Sequence, residues 1–207
     1  MSTGSNERPA TASVFSILLA RHPPVEGADG LCYGRSDLPL ATGWHDHVAS
    51  WAALWKGREQ GTLYTSPSTR CRRAAQALLA SLPDFTSITS DARLLEMDFG
   101  SWEGRAWSKI DRGALDEWAA DPLGYRPGGG ETVTSLIERV TAFWEERVEA
   151  AEPCCVITHG GPLRVLLAFA EGRSFRMEDR APAQGHAVLL HFFNNHGRFV
   201  AQIPPIR

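Results

Sequence analysis

Apolar positions along the chain follow two rhythms, and the two predict different elements. Residues 14–20 (VFSILLA) form a short, nearly continuous apolar run, the pattern of a strand buried on both faces. Residues 154–158 (CCVIT) repeat that pattern, and 62–65 make a briefer strand. A weaker strand is expected near 87–95. Two more, at 187–193 and 199–203, are separated by Asn194-Asn195-His196-Gly197, a hairpin signal. Helical spacing appears first at 44–56, through Trp44, Val48, Trp51 and Trp55. Ser66-Pro67 marks a turn into a second helix, with the proline near its first turn and an end near Leu82. One or two short helices cover 106–120, and 122–130 is loop. The clearest periodicity is in Val133, Leu136, Ile137, Val140, Phe143, Trp144 and Val148, one buried helix face. Gly160 opens a last helix over 162–170.

Strands and helices therefore alternate, which predicts an α/β fold: a three-layer sandwich whose mixed, mostly parallel sheet carries helices on both faces. No repeat and no long linker divides the chain. Its 207 residues, 43% of them hydrophobic, suit one domain over 13–207, after a small, polar and disordered tail at 1–12.

Charge narrows the partners. A net charge of -3 gives no electrostatic case for nucleic acid or an anionic membrane. No apolar run approaches a membrane span, and 14–20 is wrongly flanked for a secretory leader. Cys32, Cys71, Cys154 and Cys155 show no CxxC pairing, so they read as buried, reduced thiols of a cytoplasmic protein. The terminal hairpin offers an exposed face on which a second copy could pair as a homodimer.

The chemistry is suggested by where two histidines fall. Leu18-Leu19-Ala20-Arg21-His22 ends one buried strand in His22, and Val156-Ile157-Thr158-His159-Gly160-Gly161 ends another in His159. In open α/β sheets the ligand crevice lies at the carboxyl ends of the strands, so both imidazoles face it. Gly160 lets a helix N-terminus approach an anion. Ser66-Pro67-Ser68-Thr69-Arg70 adds a guanidinium, and Glu96 a carboxylate where a strand meets a loop.

Two arginines, two histidines and one glutamate at strand ends suit phosphoryl transfer without a metal or other cofactor. A neutral His22 is a nucleophile near neutral pH, and its phosphoramidate is reactive enough to hydrolyse. Arg21 and Arg70 offer planar donor forks for phosphate oxygens. His159 is a further donor to those oxygens, and Glu96 the proton donor to the leaving alkoxide. Tyr33, Gly34 and Arg35 lie in the loop after the nucleophile and are candidate substrate contacts. Glu131 suits a helix first turn and is a candidate to touch the site as well.

At these residues the sequence resembles the histidine phosphatase superfamily, which includes cofactor-dependent phosphoglycerate mutase. The resemblance runs from about Ile17 to Leu190. It is carried by Arg21-His22, Ser66-Pro67-x-x-Arg70, Glu96 with Asp98-Phe99-Gly100-x-Trp102-Glu103-Gly104, Gly130-Glu131 and Thr158-His159-Gly160-Gly161. It implies a phosphoglycerate mutase-like fold and His22 as the phosphorylated residue. Arg21, Arg70 and His159 become the phosphate pocket, Glu96 the proton donor, and a small-molecule phosphomonoester the substrate.

Residues 30–40 and the Asp98–Gly104 segment resemble the α-ribazole phosphatase branch, which acts on a nucleotide-like intermediate of cobalamin biosynthesis. Two departures from the family pattern stand out. Pro23-Pro24 follow the Arg-His pair where glycine is usual, removing a backbone donor. Ser68 stands where leucine is common.

The alternatives are a mutase, a broad-specificity sugar or nucleotide phosphatase, a non-catalytic phosphate binder and a metallohydrolase. The chain is short for a mutase. A degenerate binder would have lost His22 or Glu96. The seven histidines form no HExxH, and His45-x-His47 do not share a helix face. Taken singly, Arg70 is a helix-surface residue, Glu96 a partner for a backbone donor and Asp98 a loop cap. Trp102 and Glu103 read as loop anchors.

Overall fold

A computed structural model describes residues 14–83, 85, 87–196 and 198–203. The expected tail at 1–12 and Gly197 of the hairpin signal lie outside the described residues. Six strands form one sheet: β1 (Phe15–Arg21), β2 (Thr62–Thr65), β3 (Ile88–Ser90), β4 (Cys154–Thr158), β5 (Ala187–Asn195) and β6 (Arg198–Gln202). Their order is β3-β2-β4-β1-β5-β6. β3, β2, β4 and β1 run parallel, while β5 and β6 are added antiparallel at one side.

Strand β1 explains the layering. Its side chains alternate across the sheet. Phe15, Ile17 and Leu19 enter one core with Cys154 and Val156, covered by α4 (Val133–Ala150) and α5 (Gly160–Ala170). Leu18 and Ala20 enter the other with Cys155 and Ile157, covered by α1 (Trp44–Trp55) and α2 (Thr69–Ser81). The helix faces are those the spacing predicted: Trp44, Val48, Trp51 and Trp55 on α1, and Val133, Leu136, Val140, Phe143 and Trp144 on α4, are buried. The result is an α/β sandwich of three layers.

A third, smaller core lies outside the sandwich. Cys32, Trp102 and Ile110 are buried there, with Phe99, Trp107, Leu115, Trp118 and Tyr125 packed around them. It joins the loop after β1 to the 98–130 segment, which includes α3 (Arg112–Ala120).

Two local expectations need correcting. The strand expected over 87–95 stops at Ser90, because the Asp91 side chain accepts from the Arg93 backbone N–H at 2.8 Å and turns 92–94 into a 3-10 helix. Pro67 precedes α2 instead of sitting in its first turn; Ser68 is the cap residue and the helix begins at Thr69. Helix α5 begins at Gly160, the residue expected to open it, and ends at Ala170 as expected. No helix among the described residues is long and apolar enough to cross a membrane.

Candidate active site

Because β1, β2 and β4 are parallel, their carboxyl ends meet at one edge, where Arg21 pairs with Thr158 and Thr65 with Ile157. The ladder continues for one residue beyond. The His22 N–H donates to the Thr158 carbonyl at 2.9 Å, and the Ser66 N–H to the Ile157 carbonyl at 3.0 Å. His22 and Ser66 are therefore placed by strand hydrogen bonding, and His159, directly after β4, by the start of α5, where its carbonyl accepts the Leu163 N–H at 3.1 Å.

The two imidazoles lie 5.2 Å apart between ring centroids, inclined by 64°. His22 is 2% exposed and His159 1%. His22 Nδ1 lies 2.8 Å from the Pro23 carbonyl, which can only accept, so Nδ1 carries the proton and Nε2 keeps its lone pair. Burial first, then the Arg70 charge, hold the His22 pKa down to about 3; the Pro23 hydrogen bond opposes them and Arg21 adds to them. His22 is thus a neutral imidazole of defined tautomer, although proline replaces the usual glycine.

Arg21 leaves β1 with its guanidinium against Gly160, where a Cβ would stand 3.1 Å from Cζ. Its Nη1 donates to the Pro182 carbonyl at 2.8 Å. Arg70, in the first turn of α2, is buried to 1% exposure. It donates through Nη1 to the Ser36 carbonyl at 2.7 Å, and through Nη2 to the Gly34 carbonyl at 2.5 Å and His159 Nδ1 at 3.0 Å. The Nε atoms of both arginines are buried with no hydrogen-bond partner among the described residues. Two unpartnered guanidinium donors beside a neutral imidazole are what an anion would satisfy.

At rest His159 is an acceptor toward Arg70, whereas its sequence context suggested a donor. Nδ1 takes the Arg70 N–H, so the ring proton sits on Nε2, 2.7 Å from Ser66 Oγ and 3.1 Å from Ser68 Oγ. Burial, followed by the neighbouring imidazole of His22 and the charges of Arg70, Arg21 and Arg139, holds its pKa well below the ordinary value. The Cys71 thiol packs against the same ring, Sγ 3.5 Å from Nε2, and burial pushes its own pKa up to about 12.

Glu96 reaches the N-terminus of α5. Both its oxygens accept from the Gly161 N–H at 3.1 Å, and Oε1 from the Met97 N–H at 3.0 Å. A Cβ on residue 161 would stand 2.3 Å from Oε1, so only glycine leaves room. Upstream, Thr158 Oγ1 donates to the Leu94 carbonyl at 2.7 Å, and Arg139 donates to the carbonyls of Arg93 and Glu96.

The remaining sequence candidates form a rim. Arg70 Cζ lies 5.6 Å from the Tyr33 ring centroid, and the Tyr33 hydroxyl accepts from Gln184 Nε2 at 2.6 Å. At Gly34 a Cβ would stand 2.0 Å from the Met97 carbonyl oxygen, so the loop lies directly on the Glu96 segment. Glu131 is occupied by Arg139, which donates to its two oxygens at 2.7 and 2.9 Å, with the Arg35 Nη2 at 3.6 Å. It braces the Glu96 segment instead of facing the imidazoles. Asp98 accepts from the Gly100 N–H at 2.8 Å, the loop-capping role its position suggests.

Glu103 anchors the rim. It accepts from the backbone N–H groups of Gly34, Arg35, Ser36 and Phe99 and from Ser36 Oγ. Burial alone would raise its pKa, but these donors outweigh it and the pKa is lowered. Sequence reasoning missed Pro182 and Gln184, since a loop 161 residues from Arg21 and 151 from Tyr33 carries no local signal of its destination. It also missed Asp37, which accepts the Thr69 N–H at 2.9 Å and so caps α2 from outside. Among the described residues no three His, Cys, Asp or Glu side chains cluster as metal ligands.

Comparison with known proteins gives a consistent picture. The model of the histidine phosphatase superfamily (branch 1) matches residues 17–202. The α-ribazole phosphatase of Shigella flexneri superposes with a TM-score of 0.77 over 91% of this chain and 95% of that one, at 22% identity. A mycobacterial glucosyl-3-phosphoglycerate phosphatase does so with a TM-score of 0.72 over 92% and 97%, at 18% identity. In sequence, a Hydrogenobacter thermophilus protein named "Putative phosphoserine phosphatase 2" is 25% identical over 161 residues, 75% of this chain and 78% of that protein.

Proposed function

The chain belongs to the histidine phosphatase superfamily, and on that premise we propose that it hydrolyses phosphomonoesters without a metal, through a phosphohistidine on His22. The observation that carries the reading is the tautomer of His22: Nδ1–H is tied to the Pro23 carbonyl, leaving the Nε2 lone pair beside two guanidinium groups with unpartnered donors.

Arg21 and Arg70 bind the phosphate oxygens and neutralise charge as His22 Nε2 attacks phosphorus. The P–N bond forms and the ester P–O bond breaks, and Glu96 hands a proton to the departing alkoxide. Water then attacks the phosphohistidine, giving its proton back to Glu96. The P–N bond breaks, and inorganic phosphate and neutral His22 remain. Among phosphomonoesters α-ribazole 5'-phosphate comes first, on the likeness of the 30–40 and 98–104 loops to that branch.

The test is hydrolysis of p-nitrophenyl phosphate in excess EDTA by wild type and His22→Ala, followed by α-ribazole 5'-phosphate. Activity that survives EDTA and is lost in the variant supports the reading. Undiminished activity in the variant overturns it.

A further inference from the structure

Ser68 occupies the N-cap position of α2 but does not cap it. A serine there normally accepts the N–H of the second or third helical residue. Here it makes no such bond, and the orphan Thr69 N–H goes to Asp37, from the loop after β1. The Ser68 hydroxyl is instead 3.1 Å from His159 Nε2 and 3.3 Å from Ser66 Oγ. It is buried, 6% exposed, at the start of a helix whose first N–H is met by Asp37 and whose third is met by the Ser68 backbone carbonyl, so the hydroxyl is free of any capping role.

From this geometry we infer that Ser68 is a positioning residue: with Ser66 it forms a two-hydroxyl cradle that fixes the Nε2 side of His159 and turns Nδ1 toward the phosphate. The inference rests on the phosphatase reading above. Nε2 faces two hydroxyls and a thiol, so Nδ1 is the nitrogen left for a ligand. Arg70 occupies Nδ1 at rest and has an unpartnered Nε. A bound phosphate draws the fork to itself, and Nδ1, taking up a proton from solvent, donates to an oxygen. The one Nε2 proton is accepted by Ser66 Oγ at 2.7 Å and shared with Ser68 Oγ at 3.1 Å, and the two hydroxyls lie 3.3 Å from each other, so each holds the other's oxygen toward the ring. Ser66 is fixed by the strand ladder and Ser68 by the helix start, so the cradle joins two elements.

The test uses the full chain as wild type, Ser68→Ala and Ser68→Thr. Nitrogen-15 NMR of the His159 ring reads its tautomer and exchange with no substrate present. Wild type is expected to show a single tautomer, protonated at Nε2, and Ser68→Ala a mixed or rapidly exchanging ring. On p-nitrophenyl phosphate Ser68→Ala is expected to lose about three- to tenfold in kcat, the worth of one neutral hydrogen bond, with KM less affected. Ser68→Thr, which keeps the hydroxyl, recovers wild-type kcat and ring signals. Thermal stability stays near wild type, since the hydroxyl caps nothing. Unchanged His159 signals in Ser68→Ala, or a loss of kcat that threonine does not restore, overturn the inference. Absence of turnover in wild type would count against the phosphatase reading alone, because the NMR comparison decides the cradle independently.

Discussion

Arg70 and Glu103 grip the same short loop from its two sides. Glu103 accepts the N–H groups of Gly34, Arg35 and Ser36, while Arg70 donates to the carbonyls of Gly34 and Ser36. The loop behind His22 is thereby held by one anion and one cation, and the cation also belongs to the proposed phosphate pocket.

Glu103→Gln should loosen this grip. It keeps an acceptor but sets an amide NH2 against N–H donors, and a cost of about 2 kcal/mol follows from losing charge-assisted bonds. The pKa of Glu103 is lowered on folding, so its stabilisation is present above the unfolded value and lost as pH falls through the folded one. Urea unfolding at pH 7 and pH 3 should show a clear deficit for the variant at pH 7 that narrows at pH 3.

Gly161→Ala should displace Glu96 without unfolding α5, because the added Cβ meets Oε1 at 2.3 Å while alanine favours helix. A good leaving group such as p-nitrophenolate needs little help from an acid. Both Gly161→Ala and Glu96→Gln should therefore lose more activity on an alkyl phosphate than on p-nitrophenyl phosphate, by about a hundredfold or more, the usual worth of a general acid. Steady-state kinetics on the two substrates check this.

The buried histidines make stability fall in mild acid. His22 titrates at about 3 in the folded chain, well below its ordinary value near 6.5, and His159 is also held well below. Between those values the unfolded chain binds protons that the folded chain does not, so stability drops as pH falls from about 6.5 toward 3. The melting temperature should decline over this range, and less steeply in His22→Gln.

Anion binding should take up a proton. The positive groups facing His159 are Arg21, Arg70 and Arg139, with His22 and the neutral Cys71 thiol beside them. A bound dianion offsets those charges and favours a protonated Nδ1. Calorimetry with sulfate, which does not titrate near neutrality, in buffers of different ionisation enthalpy should show uptake approaching one proton. Affinity should weaken as pH rises. No uptake would mean that His159 stays an acceptor when the anion is bound.

Much of the sheet and the edge that carries the candidate site was legible in the chain because strands buried on both faces leave unbroken apolar runs, and His22 and His159 stand immediately after two of them. What was hidden depends on contacts between distant segments. Strand β3 ends where Asp91 turns its side chain back on the backbone, a competition the run 87–95 does not reveal. The role of Ser68 is invisible locally, since a serine before a helix reads as a cap. Glu131 read as a first-turn glutamate, and its bond to Arg139 eight residues on needed the turn of α4 to appear.

The neighbouring thiols Cys154 and Cys155 have a use beyond packing. Adjacent on β4, one is sealed under α4 and α5 and the other under α1 and α2, both unpaired and buried. A single peptide thus carries two natural stopwatches, one for each side of the sandwich. Pulsed alkylation resolved to the individual cysteine would time which layer of helices lifts first when the protein opens.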